Sequence, residues 1–264
     1  MNKILRSTAL FFFRRILPRK AYPVIRGPLR GKRFILGTLA GDGNGATVYF
    51  NMVEPEQTSA FVKTLKRKDV FFDIGANVGY YTILGSRLVG NEGKVFAFEP
   101  AARNLSYLFR HTDLNNATNV TIIPAACSDK LSLGVFASGE NFAEGHLTEG
   151  RSKAGALGHG TPIPTIRVDD VAERLAISPN VMKIDVEGAE YLVLSGAEKI
   201  LRGAKPAIFL STHSDALRLQ CMEYLTSLGY AFEVLSPDKE NPSEFLATYR
   251  GIRPRSHHEK HKSN

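Results

Sequence analysis

At 264 residues the chain can bury the core of one full α/β domain with additions. Its 43% hydrophobic and 23% charged residues are ordinary for a globular protein, and two cysteines, Cys127 and Cys221, exclude a disulfide scaffold. Much of the net charge of +8 gathers at the two ends, the middle has no basic stripe interleaved with aromatics, and nucleic-acid binding is not expected.

Residues 1–20 read as a basic amphipathic segment. Leu5, Ala9, Phe12, Phe13 and Ile16 fall on one helical face, with Arg6, Arg14 and Arg15 among the other positions. Such a helix suits docking on the domain or peripheral contact with an anionic membrane surface. Its apolar run Ala9–Phe13 is too short for a signal-peptide core or a bilayer span, so the expected location is the cytoplasm, with any peripheral contact at the inner face of the membrane. Residues 21–53 read as a hairpin extension, with FILGTL and ATVYF as strands around the turn signal Gly41–Gly45.

The main domain is expected over residues 54–250. A helix at 55–67 leads into the short apolar strand 70–73, a helix at 80–89 into the strand 94–98, and a helix at 101–115 into the strand 120–124. After the period-free stretch 138–160, which reads as a long loop, come a strand at 181–184, a helix at 189–201, a strand at 207–210 and a helix at 215–228. Segments 230–235 and 245–249 would add edge strands. The main strands lack in/out alternation, as expected when helices cover both faces, and repeated strand–helix units give a doubly wound, mostly parallel, Rossmann-like sheet. Residues 251–264 read as a disordered basic tail in which His257, His258 and His261 are solvated.

Three motifs carry chemistry. The first, Asp73-Ile-Gly75-Ala76-Asn77-Val-Gly79-Tyr80, links a strand to a helix, where open parallel sheets bind ligands. Gly75 lets the backbone turn tightly, Asn77 tolerates positive φ, and Gly79 permits close helix–strand packing. The second, Glu99-Pro100, ends the next strand, where an acid accepts hydrogen bonds from ribose hydroxyls. Together they indicate an adenosine-containing cofactor. A pyrophosphate would be repelled by Asp73, whereas a sulfonium or α-ammonium group would be attracted, which favours S-adenosylmethionine over NAD.

The third motif, Asp185-Val-Glu187-Gly188-Ala-Glu190, follows a buried strand and should bring its acids to the same sheet edge. Asp185 or Glu187 would act as general base or orient an acceptor hydroxyl. His213, at the end of the strand 207–210, is a further candidate base, with capping of the next helix as its plainer role. Glu187 and Glu190 also suit a first helical turn simply as charge. No metal site is expected, because no histidine or further carboxylate obviously completes a set with Asp185, Glu187 and Glu190.

In order and spacing, the three motifs over roughly residues 50–212 resemble the FkbM family of methyltransferases. The resemblance implies a seven-stranded class I methyltransferase fold and O-methylation of a hydroxyl on a sugar, glycan or natural product, with S-adenosylmethionine as cofactor. It implies that Asp73, Gly75, Ala76, Asn77, Gly79 and Tyr80 line the methionine end. Glu99 and Pro100 would hold the ribose, Cys127 would lie near the adenine, and Asp185 would border the cofactor. In the family pattern an acid often stands two residues before the histidine; here that position is Ser211, which leaves the base unassigned. Two alternatives stay open: a nicotinamide-dependent oxidoreductase on a similar fold, and a catalytically inactive methyltransferase-like binding module. The acceptor's identity and the oligomeric state are not legible in the sequence.

Overall fold

The computed structural model describes residues 18, 20–38, 46–138, 145–148, 161–235 and 243–250. The basic N-terminal helix, the Gly41–Gly45 turn, most of the 138–160 loop and the histidine tail lie outside the described residues.

The chain opens with an antiparallel pair, β1 (Ala21–Pro23) and β2 (Arg33–Ile35). An extension hairpin is therefore present, but its turn runs through Gly27 and Gly31, both at positive φ, and not through residues 41–45. The ATVYF segment expected as a strand is a short 3-10 helix, Ala46–Phe50. Tertiary bonds decide this. The Tyr49 hydroxyl donates to the Phe34 carbonyl at 2.7 Å and the Ile25 amide donates to the Tyr49 carbonyl at 3.0 Å, which closes the segment over the hairpin.

The domain proper follows in regular alternation: α1 (Pro55–Thr64), β3 (Val70–Ile74), α2 (Tyr80–Val89), β4 (Lys94–Phe98), α3 (Ala102–Leu114), β5 (Val120–Ile123). A second, four-stranded sheet interrupts it. Its strands are β6 (Ala126–Cys127), β7 (Ser132–Ser138), β8 (Gly145–Thr148) and β9 (Thr161–Ile166), in the order β6-β9-β7-β8. Part of the expected loop is therefore strand. Pro162 and Pro164, two residues apart, carry their imide nitrogens on one edge of β9, and β6 reaches only Thr165 and Ile166 along β9, so the ladder tolerates both prolines.

Alternation resumes with α4 (Val168–Leu175), β10 (Val181–Ile184), α5 (Glu190–Ser195), α6 (Glu198–Gly203), β11 (Ala207–Ser211), α7 (Asp215–Ser227), β12 (Tyr230–Val234) and β13 (Glu244–Tyr249). The single helix expected over 189–201 is two helices meeting at Gly196. A Cβ there would stand 2.0 Å from the Ser128 carbonyl oxygen, and the Asp169 carboxylate accepts the Lys199 and Ile200 amides at 2.9 and 3.0 Å, capping the second helix independently.

The main sheet has seven strands in the order β12-β13-β11-β10-β3-β4-β5, parallel except for β13, which is antiparallel to both neighbours. The chain leaves β3 toward β4 and β5, then returns to the other side of β3 as β10 and β11. The switch point thus lies between β3 and β10, with Asp73 and Asp185 at or beside the two strand ends. Both sheet faces are buried. Phe72, Ile74, Phe96, Phe98, Met182 and Ile184 face one core, while Phe71, Val95, Val181 and Phe209 face another beneath α1, α2 and the hairpin. That is why the strands read as unbroken apolar runs.

Candidate active site

The first motif forms a bend closed by its neighbours. The amides of Gly75 and Ala76 both donate to the Phe98 carbonyl at 3.0 Å, tying β3 to the end of β4. Gly75 has φ 83° and a Cβ on it would lie 1.8 Å from the Asp185 carbonyl oxygen, so this glycine lets the bend touch the end of β10. Asn77 adopts φ 51°, and its side chain accepts from the Val78 amide at 2.8 Å. Glu99 is buried and fastens the bend: its Oε2 accepts the Asn77 amide and its Oε1 the Ala101 amide, each at 2.8 Å, with Asn104 Nδ2 at 3.4 Å from Oε1. Burial pushes the Glu99 carboxyl up against the opposing pull of these bonds.

On the face of the sheet toward α1, Lys183 is paired across the ladder with Asp73. Its ammonium donates to Asp185 Oδ2 at 2.7 Å and sits 4.9 Å from the centre of the Tyr81 ring. The residue is 3% exposed. Burial opposes its charge, but Asp185, Glu54 and Asp73 outweigh that and hold it firmly protonated. The cation in turn offsets burial at Asp185 and keeps that carboxyl below its usual range. Asp73 is raised to about 6, chiefly by burial; its Oδ2 accepts from the Thr82 hydroxyl at 2.5 Å, while its Oδ1 is buried without a partner. Glu54 enters from the N-terminal side of α1, accepting from the Tyr81 hydroxyl at 2.9 Å and from Gln57 Nε2 at 2.6 Å. Burial raises its carboxyl as well.

The third motif gathers around His213. Glu187 lies at φ 55° just past β10, and His213 directly precedes the N-cap of α7, where the Ser214 hydroxyl accepts the Leu217 amide. His213 Nδ1 lies 2.8 Å from Glu190 Oε1, and its Nε2 lies 3.1 Å from Glu187 Oε2 and 3.6 Å from Asp185 Oδ1. Burial works against charge on the ring, but the hydrogen bonds to Glu187 and Glu190 and the fields of Glu190 and Asp185 raise it to about 10. A cavity of about 470 Å³ opens on this cluster, lined by Glu187, Gly188, His213, Ser214, Leu217 and Gln220 among others.

The structure therefore brings Asp185, Glu187 and His213 together beside the Gly75 bend. Asp73, Gly75 and Glu99 are near them along the sheet edge but do not line this cavity. Of the other residues named from the sequence, Tyr80 packs in the core below the hairpin, with its hydroxyl 3.3 Å from that of Thr58. Cys127 is buried against the aromatic core containing Phe98, where burial drives its thiol up. Glu190 is fully buried and steers the His213 ring, a role beyond favourable charge in a first turn. Glu54 was not among the sequence candidates; it stands alone before Pro55, and only the packing of α1 on β11 and the Tyr81 contact bring it here.

A model described as the methyltransferase FkbM domain matches residues 73–232, which is more than half of the chain. The chain belongs to the FkbM methyltransferase family. A relative, the hexuronic acid methyltransferase AglP of Haloferax volcanii, is 29% identical over 150 residues, which are 56% of this chain and 58% of the relative. The aligned part thus spans little more than half the relative's length. A crystal structure of a methyltransferase FkbM from Methylobacillus flagellatus superposes with a TM-score of 0.50 at 19% identity, covering 80% of this chain and 56% of that one. That likeness concerns the fold, and it agrees with the class I arrangement of the seven strands.

Proposed function

We propose that this FkbM-family protein transfers a methyl group from S-adenosylmethionine to a hydroxyl of a sugar or glycan. The observation that carries the reading is the buried, unpartnered Asp73 Oδ1 beside a glycine–asparagine bend, on the strand next to the one that ends in Glu99. An unsatisfied carboxylate oxygen in a low-dielectric site favours a cationic ligand and repels a pyrophosphate. Glu99 Oε2 has a second lone pair beyond its bond to the Asn77 amide, and Oε1 shares its second only with Asn104 at 3.4 Å, which leaves acceptor capacity for a ribose hydroxyl. Asp73, Asn77, Gly79 and Glu99 would hold the cofactor, which when bound supplies an electrophilic methyl on a sulfonium.

The chain's own work is to place the acceptor oxygen in line with that methyl. Asp185, anchored by Lys183 and a quarter exposed, suits orientation of the hydroxyl. Glu187, with 38% of its side chain exposed at the cavity, suits removal of the proton. His213, raised to about 10, already carries a proton at neutral pH and serves as a counter-cation in this arrangement. The name of the relative AglP supports a sugar acid as acceptor. Family membership favours methyl transfer over the nicotinamide alternative.

Calorimetric titration with S-adenosylhomocysteine and with NADH tests the cofactor. We expect the first to bind and the second not; the reverse overturns the reading. Incubation with methyl-labelled cofactor and a panel of uronic and neutral sugars, free and lipid-linked, tests transfer. Cofactor binding without transfer to any of them would instead support the binding-module alternative.

A further inference from the structure

We propose that Asp185, Glu187 and His213 form a binding site for one divalent cation, of the Mn²⁺ or Mg²⁺ kind, at the mouth of the cavity. The role of the ion at the acceptor rests on the methyl-transfer reading, but its binding does not.

The geometry comes first. Each of the three residues offers one ligand atom, and these atoms lie within 4.8 Å of one another. Neighbouring ligands of an octahedral ion with bonds of about 2.1 Å are about 3 Å apart. Nε2 of His213 is 3.1 Å from Glu187 Oε2 and 3.6 Å from Asp185 Oδ1, so two of the three donor pairs already stand near that spacing. Of the three, Glu187 and His213 line the cavity.

The supporting partners are in place. Metal-bound histidines usually donate their other ring N–H to a carboxylate, which fixes the tautomer and aims the free nitrogen at the ion. Glu190, fully buried, accepts from His213 Nδ1 at 2.8 Å and is itself held by the Gly188 amide at 3.1 Å. Asp185 is likewise fixed through its other oxygen by Lys183, which leaves Oδ1 turned to the histidine. These are two independently braced ligands converging on one point.

Charge supplies the third argument. Asp185, Glu187 and Glu190 bring three carboxylates to one imidazole, against the single buried ammonium of Lys183. A divalent ion held by the neutral ring would balance that excess of two. Two carboxylates and one imidazole suit Mn²⁺ or Mg²⁺ better than a thiophilic metal. An ion there would take the acceptor through a pair of adjacent oxygens, such as a vicinal diol or a hydroxyl beside a carboxylate, and lower the hydroxyl's pKa.

The test uses the full chain with His257, His258 and His261 replaced by alanine, so that the tail offers no competing imidazoles. After removal of ions with EDTA, MnCl₂ is titrated in and free Mn²⁺ is followed by its electron paramagnetic resonance signal. We expect one ion per chain, displaced by excess Mg²⁺. The variants Glu187→Gln and His213→Gln should each lose at least about tenfold in affinity, and Glu190→Gln, which among the three ligands touches the histidine, about 10–100-fold. S-adenosylhomocysteine titration of each variant reports whether the fold is intact. Mn²⁺ left free at millimolar concentration by the parent chain overturns the site, as does full affinity in Glu187→Gln and His213→Gln. Ion binding without any S-adenosylhomocysteine binding upholds the site and overturns the methyl-transfer reading instead.

Discussion

Between β3 and β4 the acid Glu99 gives its two oxygens to the backbone amides of Asn77 and Ala101, whereas across the switch point Asp185, Glu187 and Glu190 crowd a single imidazole. The first side is closed by backbone bonds and by glycines that let strands touch. The second has a cavity at its mouth and more carboxylates than cations. On the proposed methyl-transfer reading, the difference separates two tasks. A cofactor pocket benefits from a frame that needs no rearrangement on binding, because ordering costs are then already met in folding. A site that handles a hydroxyl proton benefits from charge that is balanced only when a ligand arrives.

The sharpest way to break this comparison is to add one methyl group to each side. Gly75→Ala would drive a Cβ to 1.8 Å from the Asp185 carbonyl at φ 83°, and neither group is the end of a flexible side chain. We expect loss of more than about 3 kcal/mol of stability in urea unfolding, with loss of cofactor binding. Gly188→Ala, at φ 111° with nothing within 4 Å, carries only the conformational cost of about 1–2 kcal/mol. Equal effects would mean that the bend is no more rigid than the acidic turn.

Next in size is Asp185→Asn, which keeps the shape and removes the charge held by Lys183. Turnover should fall by about 10²-fold, the cost of a misplaced acceptor, while affinity for S-adenosylhomocysteine changes little. Unchanged turnover would remove Asp185 from the mechanism. Glu99→Ala should do the opposite, weakening cofactor binding by about 1–3 kcal/mol through lost charge-assisted hydrogen bonds. It should also cost stability, since the Asn77 and Ala101 amides lose their acceptor. Unaltered affinity in calorimetry would make Glu99 a purely structural clasp.

Much of this frame was readable because it depends on local pattern. Runs such as VFFDI and VMKI have both faces buried, and the acids at their ends follow directly. The parts that escaped depend on contacts distant in sequence. Which segment pairs with β1 was settled by Tyr49 and Phe34, and the break at Gly196 by a carbonyl some seventy residues earlier. The second sheet hides behind prolines and the exposed Leu131 and Leu133, a pattern that gives no apolar alternation to read. In the site, Asp185, Glu187 and His213 were legible as candidates. That Glu190 would orient the histidine, and that Glu54 would arrive at all, required the packed chain. The reason for expecting no metal, the want of a histidine to complete the acids, lapses once the turn after β11 places His213 beside them.

The smallest effect concerns a histidine on the sealed side, and it offers an internal control. His111 is fully buried and joins the hairpin to the glycine–asparagine bend: its Nε2 accepts the Ile35 amide at 3.0 Å, and its Nδ1–H donates to the Val78 carbonyl at 2.6 Å. An acceptor on one nitrogen and a donor on the other require the neutral ring. Burial, the larger cause, lowers its pKa in the folded state against the raising effect of the Val78 bond. The unfolded chain therefore binds the proton more tightly, and stability rises with pH across the interval between the folded value and the unfolded value of about 6.5. The contribution is complete above that interval and is lost as pH falls through it. Unfolding of wild type and His111→Gln compared at pH 7 and pH 5 should show the gap between them shrinking on acidification. A constant gap would mean that the folded and unfolded rings take up the proton alike, and that the clasp between hairpin and bend holds as well with a charged ring.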